Sequence, residues 1–166
     1  MKVFIYTIVL ICNFFQVVNA QSEQKMFWAL NSDCKVLTVN APNVFSLRDS
    51  NTKYGKILGT GTINLNGFNF AFGCGNPTGA DFSGAIIGTG SINKIGTGTQ
   101  TLSGDNTYIG VSTISTGTLI VGNGGTSGTL GSGTITNNSH LVFNRNDDII
   151  YSQVVQGTGD VVQNGT

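Results

Sequence analysis

Few residues in this 166-residue chain could do chemistry. His140 is the single histidine and follows Ser139; Arg145, Asp147 and Asp148 make the one local charge cluster; the cysteines are Cys12, Cys34 and Cys74. A histidine acting as a general base needs an oriented partner. With no second histidine or third mature cysteine to complete a metal set, His140 reads as structural or solvated. Asp147 and Asp148 could grip a cation or a sugar. The simpler reading is a turn in which Asn144, Asn146 and the aspartates bond their own backbone, aided by Arg145. Lyases and glycosidases need several carboxylates gathered on one side of a groove. Asp81, Asp105, Asp147, Asp148 and Asp160 fall mainly in turns, and no aspartate recurs at the spacing of a calcium-binding nonapeptide array. The sequence therefore nominates no catalytic residue, no cofactor site and no metal site, and reads as a non-enzyme.

Cys34 and Cys74 are the two cysteines that remain if the leader described below is removed. An even count in an exported chain suggests a disulfide between them; two buried free thiols are the alternative.

The elements that must carry these side chains are short strands. From Gly84 to Gly122 alternating polar and apolar runs are cut at close intervals by glycine, with Ile92, Leu102, Ile114, Leu119 and Val121 forming a thin apolar face. The phrases GTGTINLNG from Gly59, GTGSINKIG from Gly88, GSGTITNNS from Gly131 and GTGDVVQNG from Gly157 repeat one theme at spacings of 29, 43 and 26 residues. Self-similarity in that range signals stacked units that cannot bury a core alone. The fold expected is all-β, a right-handed parallel β-helix (β-solenoid) with an N-terminal cap. Six or seven coils of roughly 20–25 residues would make a rod of roughly 30 Å.

INKIGTGTQTLSGDNTYIGVSTISTGTLIVG resembles the autotransporter-associated β-strand repeat of pectin-lyase-like β-helix passengers. Lys94, Gly96, Gly98, Leu102, Ser103, Gly104, Asn106, Tyr108, Gly110, Thr113, Gly117, Thr118, Leu119 and Val121 fit its pattern. Gln100 stands where leucine is usual, Val111 where a second glycine is usual and Thr116 where alanine is usual. With the linking segment that follows, the resemblance covers Gly84 to Thr166. It implies a scaffold in a secreted passenger and says little of activity.

Residues 1–20 read as a secretory signal: Lys2, an apolar run from Val3 to Phe15, and Val18-Asn19-Ala20 before a cut at Gln21. A membrane anchor is the competing reading, but that run is short against the roughly 20 residues a span needs. Residues 21–56 are poor in glycine and suit a cap, with Trp28 in its core rather than serving as a sugar platform. Residues 57–166 supply the coils. There Phe68, Phe70, Phe72 and Cys74 alternate onto one face after a turn at Asn66-Gly67.

Charged residues are only 10% of the chain and the net charge is zero, so no basic patch invites nucleic acid. Thr60, Thr62, Thr97, Thr99, Thr101, Thr116, Thr118, Thr134 and Thr136 resemble the paired threonines of ice-binding solenoids, although most pairs straddle a glycine. Asn137-Asn-Ser139 and Asn164-Gly-Thr166 are glycosylation acceptors in a eukaryotic host. The expected function is an exported structural or adhesive segment, secreted or at the cell surface, at the outer membrane in a bacterium. Its partners would be an extracellular ligand or host surface, glycan or protein, with self-association through open β-helix ends a further possibility. A carbohydrate-binding or carbohydrate-active β-helix and an ice-binding solenoid are the alternatives. The chain reads as a fragment of a longer passenger.

Overall fold

A computed structural model describes residues 16–18 and 34–165. Trp28 of the expected cap and most of the expected leader lie outside the described residues. Sixteen strands and no helix occur among the described residues, and every strand pairing is parallel. They form three sheets of eight, five and three strands.

The first sheet stacks β1 (Gln16–Val18), β2 (Lys35–Val39), β4 (Lys53–Leu58), β6 (Asn69–Phe72), β9 (Ser91–Lys94), β11 (Ser112–Ile114), β13 (Ile135–Asn137) and β15 (Val155–Gln156). The second stacks β7 (Ala80–Phe82), β10 (Thr99–Leu102), β12 (Thr118–Val121), β14 (His140–Phe143) and β16 (Asp160–Gln163). The third holds β3 (Val44–Ser46), β5 (Thr62–Asn64) and β8 (Ala85–Ile87). The chain thus winds as a β-solenoid of about six turns. Register partners lie 18 to 23 residues apart, as from Val44 to Thr62 and from Ser112 to Ile135. Gln16–Val18 lies inside the expected leader and pairs with β2. β2 and β3, within the segment expected as a cap, and β4, which crosses its expected boundary at residue 56, enter the same ladders as the later coils.

Because side chains alternate across a strand, each rung sends every second residue inward. In the first sheet one inward column runs Phe70, Ile92, Ser112, Ile135, and its neighbour runs Phe72, Lys94, Ile114, Asn137. The second sheet contributes Ala80, Gln100, Leu119, Leu141 beside Phe82, Leu102, Val121, Phe143. Ile63 and Ile86 close the core from the third side. Each fully buried aliphatic side chain contributes about 1.5–3 kcal/mol. Phe70 and Phe72 are buried with ring centroids 5.4 Å apart, while Phe68 is only partly buried against the cluster.

The corners explain the uneven spacing of the glycine phrases. Gly90, Gly110 and Gly133 stack at one corner, where a methyl on Gly110 would overlap the Gly90 carbonyl and one on Gly133 the Gly110 carbonyl. The interval of 43 residues between the second and third phrases is therefore two coils at one corner. The phrases from Gly59 and Gly157 leave first-sheet strands instead of entering them, which displaces the other two intervals. At another corner Gly73, Gly96 and Gly117 all take positive φ, of 96°, 71° and 72°, which glycine adopts without steric cost.

Candidate functional site

The polar residues of the repeat motif converge on main-chain groups. Lys94 lies on β9 in an inward column and is fully buried. Its Nζ donates to the carbonyls of Ile95 at 3.0 Å, Gly96 at 2.9 Å and Thr116 at 3.2 Å, all at the corner where the chain leaves the first sheet. Burial pushes the Lys94 ammonium down to about 8. An amine enclosed by carbonyls in this way ties two coils together and leaves no open position for a substrate.

Asn106 occupies the third side, where β8 has no strand above it. Its Oδ1 accepts from the Ile86 N–H at 2.8 Å, and its Nδ2 donates to the carbonyls of Gly104 and Thr129. One side chain thereby stitches three successive coils. Tyr108 is fully buried; burial pushes its phenol up to about 12, and the hydroxyl hydrogen-bonds Ser112, the polar member of an otherwise apolar column. Ser103 donates to Asp81 at 2.6 Å.

Gln100 fills the position where the repeat usually has leucine, and it too is fully buried. Its Oε1 accepts from the Ile57 N–H at 3.1 Å; its Nε2 donates to the carbonyls of Ile57, Ala80 and Thr101 at 3.0, 3.3 and 2.9 Å. The amide behaves as an inserted peptide group, satisfying both main-chain atoms of a residue 43 positions earlier.

The charged candidates separate. Arg145 is buried and forks onto Asp147, with Nε and Nη2 at 2.9 and 2.8 Å from its two carboxylate oxygens. Its remaining donors reach the carbonyls of Gly128, at 2.7 Å, and Thr126. The Asp147 bond holds the guanidinium above its ordinary range, and the guanidinium holds the Asp147 carboxyl below its own. The cluster therefore pins the 122–130 loop, while Asp148 is exposed and outside this fork. His140 does have a partner: its Nδ1 meets the Asp160 carboxylate, its register neighbour in the next coil, on a surface where the two side chains are 59% and 54% exposed. Asp105 accepts from the Gly128 N–H at 3.0 Å. Among the described residues no group of three or more His, Cys, Asp or Glu side chains comes together.

Cys34 and Cys74 are joined, with Cα atoms 5.1 Å apart across 40 residues of chain. Asn137, expected as a glycosylation acceptor, is buried and donates through Nδ2 to the Asp160 carbonyl at 2.7 Å, so its amide is already engaged. The threonines do not build an extended array. Thr99 and Thr118 are register neighbours, but the column continues with His140 and Asp160. Thr113 and Thr136 are likewise flanked by Asn93 and Gln156.

Residues 92–121 match the family model of the passenger-associated-transport-repeat. A stretch of 84 residues is 46% identical to the adhesin BmaC autotransporter of Brucella suis biovar 1 (strain 1330). That stretch is 51% of this chain and 2% of the adhesin, so the chain spans a small part of its relative's length. No solved structure matches the chain. Residues 92–121, in which Lys94 and Asn106 hold successive coils together and Tyr108 fastens its own coil to Ser112, thus match the passenger-associated-transport-repeat and lie within a parallel β-solenoid.

Proposed function

We propose that this chain is an exported adhesive passenger segment, non-catalytic, which presents a rigid surface to an extracellular ligand. The observation that carries the reading is the 46% identity to an autotransporter adhesin over half the chain. The geometry supports it from the other side. Lys94, Asn106, Tyr108, Arg145 and four of the five candidate aspartates all bond within the coil stack or its turns, which makes a scaffold and not a reaction centre. Export through a residue 1–20 leader, a cell-surface or secreted location, and coils from residue 57 onward complete the reading.

Beads coated with the purified chain and settled on cultured mammalian cells test it. Attachment well above that of albumin-coated beads is expected. Attachment equal to albumin, or turnover of polysaccharide or peptide by the pure chain, overturns the reading.

A further inference from the structure

At one corner the chain leaves the second sheet in the same way coil after coil. The N–H groups of Ser103, Gly122, Asn144 and Asn164 donate to the carbonyls beneath them, those of Phe82, Leu102, Val121 and Phe143, at 3.0, 2.9, 2.8 and 2.8 Å. Successive residues of a parallel rung point their main-chain groups to opposite sides, so the N–H that follows each of these turns away from the coil below. The last of these rungs differs in its side chains: Asn144 is followed by arginine, Asn164 by glycine. Packing imposes that glycine, since a methyl on Gly165 would overlap the Arg145 carbonyl.

An asparagine before glycine can modify itself. The glycine nitrogen, losing its proton to solvent hydroxide, attacks the asparagine Cγ. The new N–Cγ bond closes an imide ring, the Cγ–Nδ2 bond breaks and ammonia leaves. Water then adds to one of the two ring carbonyls and opens the ring to aspartate or isoaspartate. Glycine permits the closure because it has no side chain to crowd the attacking nitrogen. The chain has three such pairs, and the fold treats them differently. Asn66-Gly67 sits in a turn closed by the Phe68 N–H on the Leu65 carbonyl at 2.8 Å, and the Asn66 amide that would have to swing onto the Gly67 nitrogen is tethered to the Leu47 carbonyl at 3.2 Å. In Asn123-Gly124 the attacking nitrogen itself is engaged, its N–H donating to the Asn144 carbonyl at 2.8 Å. Asn164 is exposed, and among the described residues neither its side chain nor the Gly165 N–H has a hydrogen-bond partner.

We propose that Asn164 is a site of spontaneous conversion to aspartate and isoaspartate. This chemistry is independent of what the surface binds. It puts a negative charge on a chain of zero net charge, and the isoaspartyl form inserts an extra carbon into the main chain just beyond β16. The purified full chain is held at mildly alkaline pH and sampled over weeks. Peptide mapping by mass spectrometry reads the amide-to-acid change at each asparagine, and methyl transfer by an isoaspartate methyltransferase reads the isoaspartyl product. Asn164 should convert at least about tenfold faster than Asn66 and Asn123, because those two must first open the bonds that hold them. In guanidinium chloride, where those bonds are gone, the three rates should converge. Asn164→Gln, whose longer side chain would have to close a larger ring, should lose the isoaspartyl signal of the native chain. Asn66 or Asn123 converting as fast as Asn164 in the native chain, or Asn164 still an amide there when the unfolded chain has converted, overturns the proposal.

Discussion

Replacing Gln100 by leucine, the residue such repeats usually carry at that position, should destabilise this chain. β4 runs to Leu58, but its last partner on β6 is Phe72, opposite Tyr54. The next coil then turns away through 73–79 and meets the chain leaving β4 only at the bridge between Gly59 and Phe82, so no strand register pairs Ile57 on that side. Gln100 reaches across the core and satisfies the N–H and C=O of Ile57 at 3.1 and 3.0 Å. Leucine would leave both groups buried and unpaired, at a cost of about 1–3 kcal/mol each. Its own burial returns about 1.5–3 kcal/mol. The orphaned pair wins, for a net loss of about 2 kcal/mol, or a fall in melting temperature of about 4–8 °C at this chain length. Far-UV circular dichroism with urea gives the first readout and hydrogen exchange at the Ile57 amide the second. Two results refute the reasoning: a Gln100→Leu chain that melts at or above wild type, or a less stable one in which Ile57 keeps its protection.

Lys94 predicts a pH dependence of definite sign. Its value falls from 10.5 to about 8 on folding, so between those values the unfolded chain holds a proton that the folded chain has released. The contribution is flat below pH 8 and stability rises above it, by about 2 kcal/mol at about pH 9.5; urea titrations should show this rise in wild type and its loss in Lys94→Met. Opening the Cys34–Cys74 bond, which spans 40 residues, should cost about 4 kcal/mol by chain entropy, read as the difference in urea stability between wild type and the double serine variant. A much smaller difference would mean that the coils already hold the two ends together. His140→Ala should change stability by less than about 0.5 kcal/mol, because its pair with Asp160 is exposed on both sides. A larger loss in thermal melting would show that the pair carries part of the fold.

The coil was legible in the sequence because its signals are local. Alternation put Ile92, Leu102, Ile114, Leu119 and Val121 inside, and all are fully buried. Asn66-Gly67 turns where a turn was expected, with positive φ at both residues. What was not legible depends on which residues stack across coils, and coil length varies from 18 to 23 residues. The partnership of His140 with Asp160 is a case in point: the residues are 20 apart, and only the register of β14 on β16 makes them neighbours. Gln100 and Ile57, 43 apart, pair because β4 outlasts β6, which no pattern in either segment announces. A buried glutamine in an apolar alternation was still a usable signal, since an amide there must find both a donor and an acceptor.

The same division locates function. The residues that identify the repeat are bound up in the coil: Lys94 on carbonyls of two coils, Asn106 on three, Tyr108 on Ser112, and Gly110 against the Gly90 carbonyl. Each could change only at the expense of the stack, so each is silent about the ligand. Freedom to recognise a partner belongs to side chains that the ladders leave outward or the corners leave unpaired. On the third face, where strands give way to side-chain bridges, Ile150 is such a residue, and it lies outside the matched repeat. A solenoid built this way can alter what it binds from coil to coil without altering how it folds. The motif that reveals the architecture is for that reason the wrong place to look for specificity.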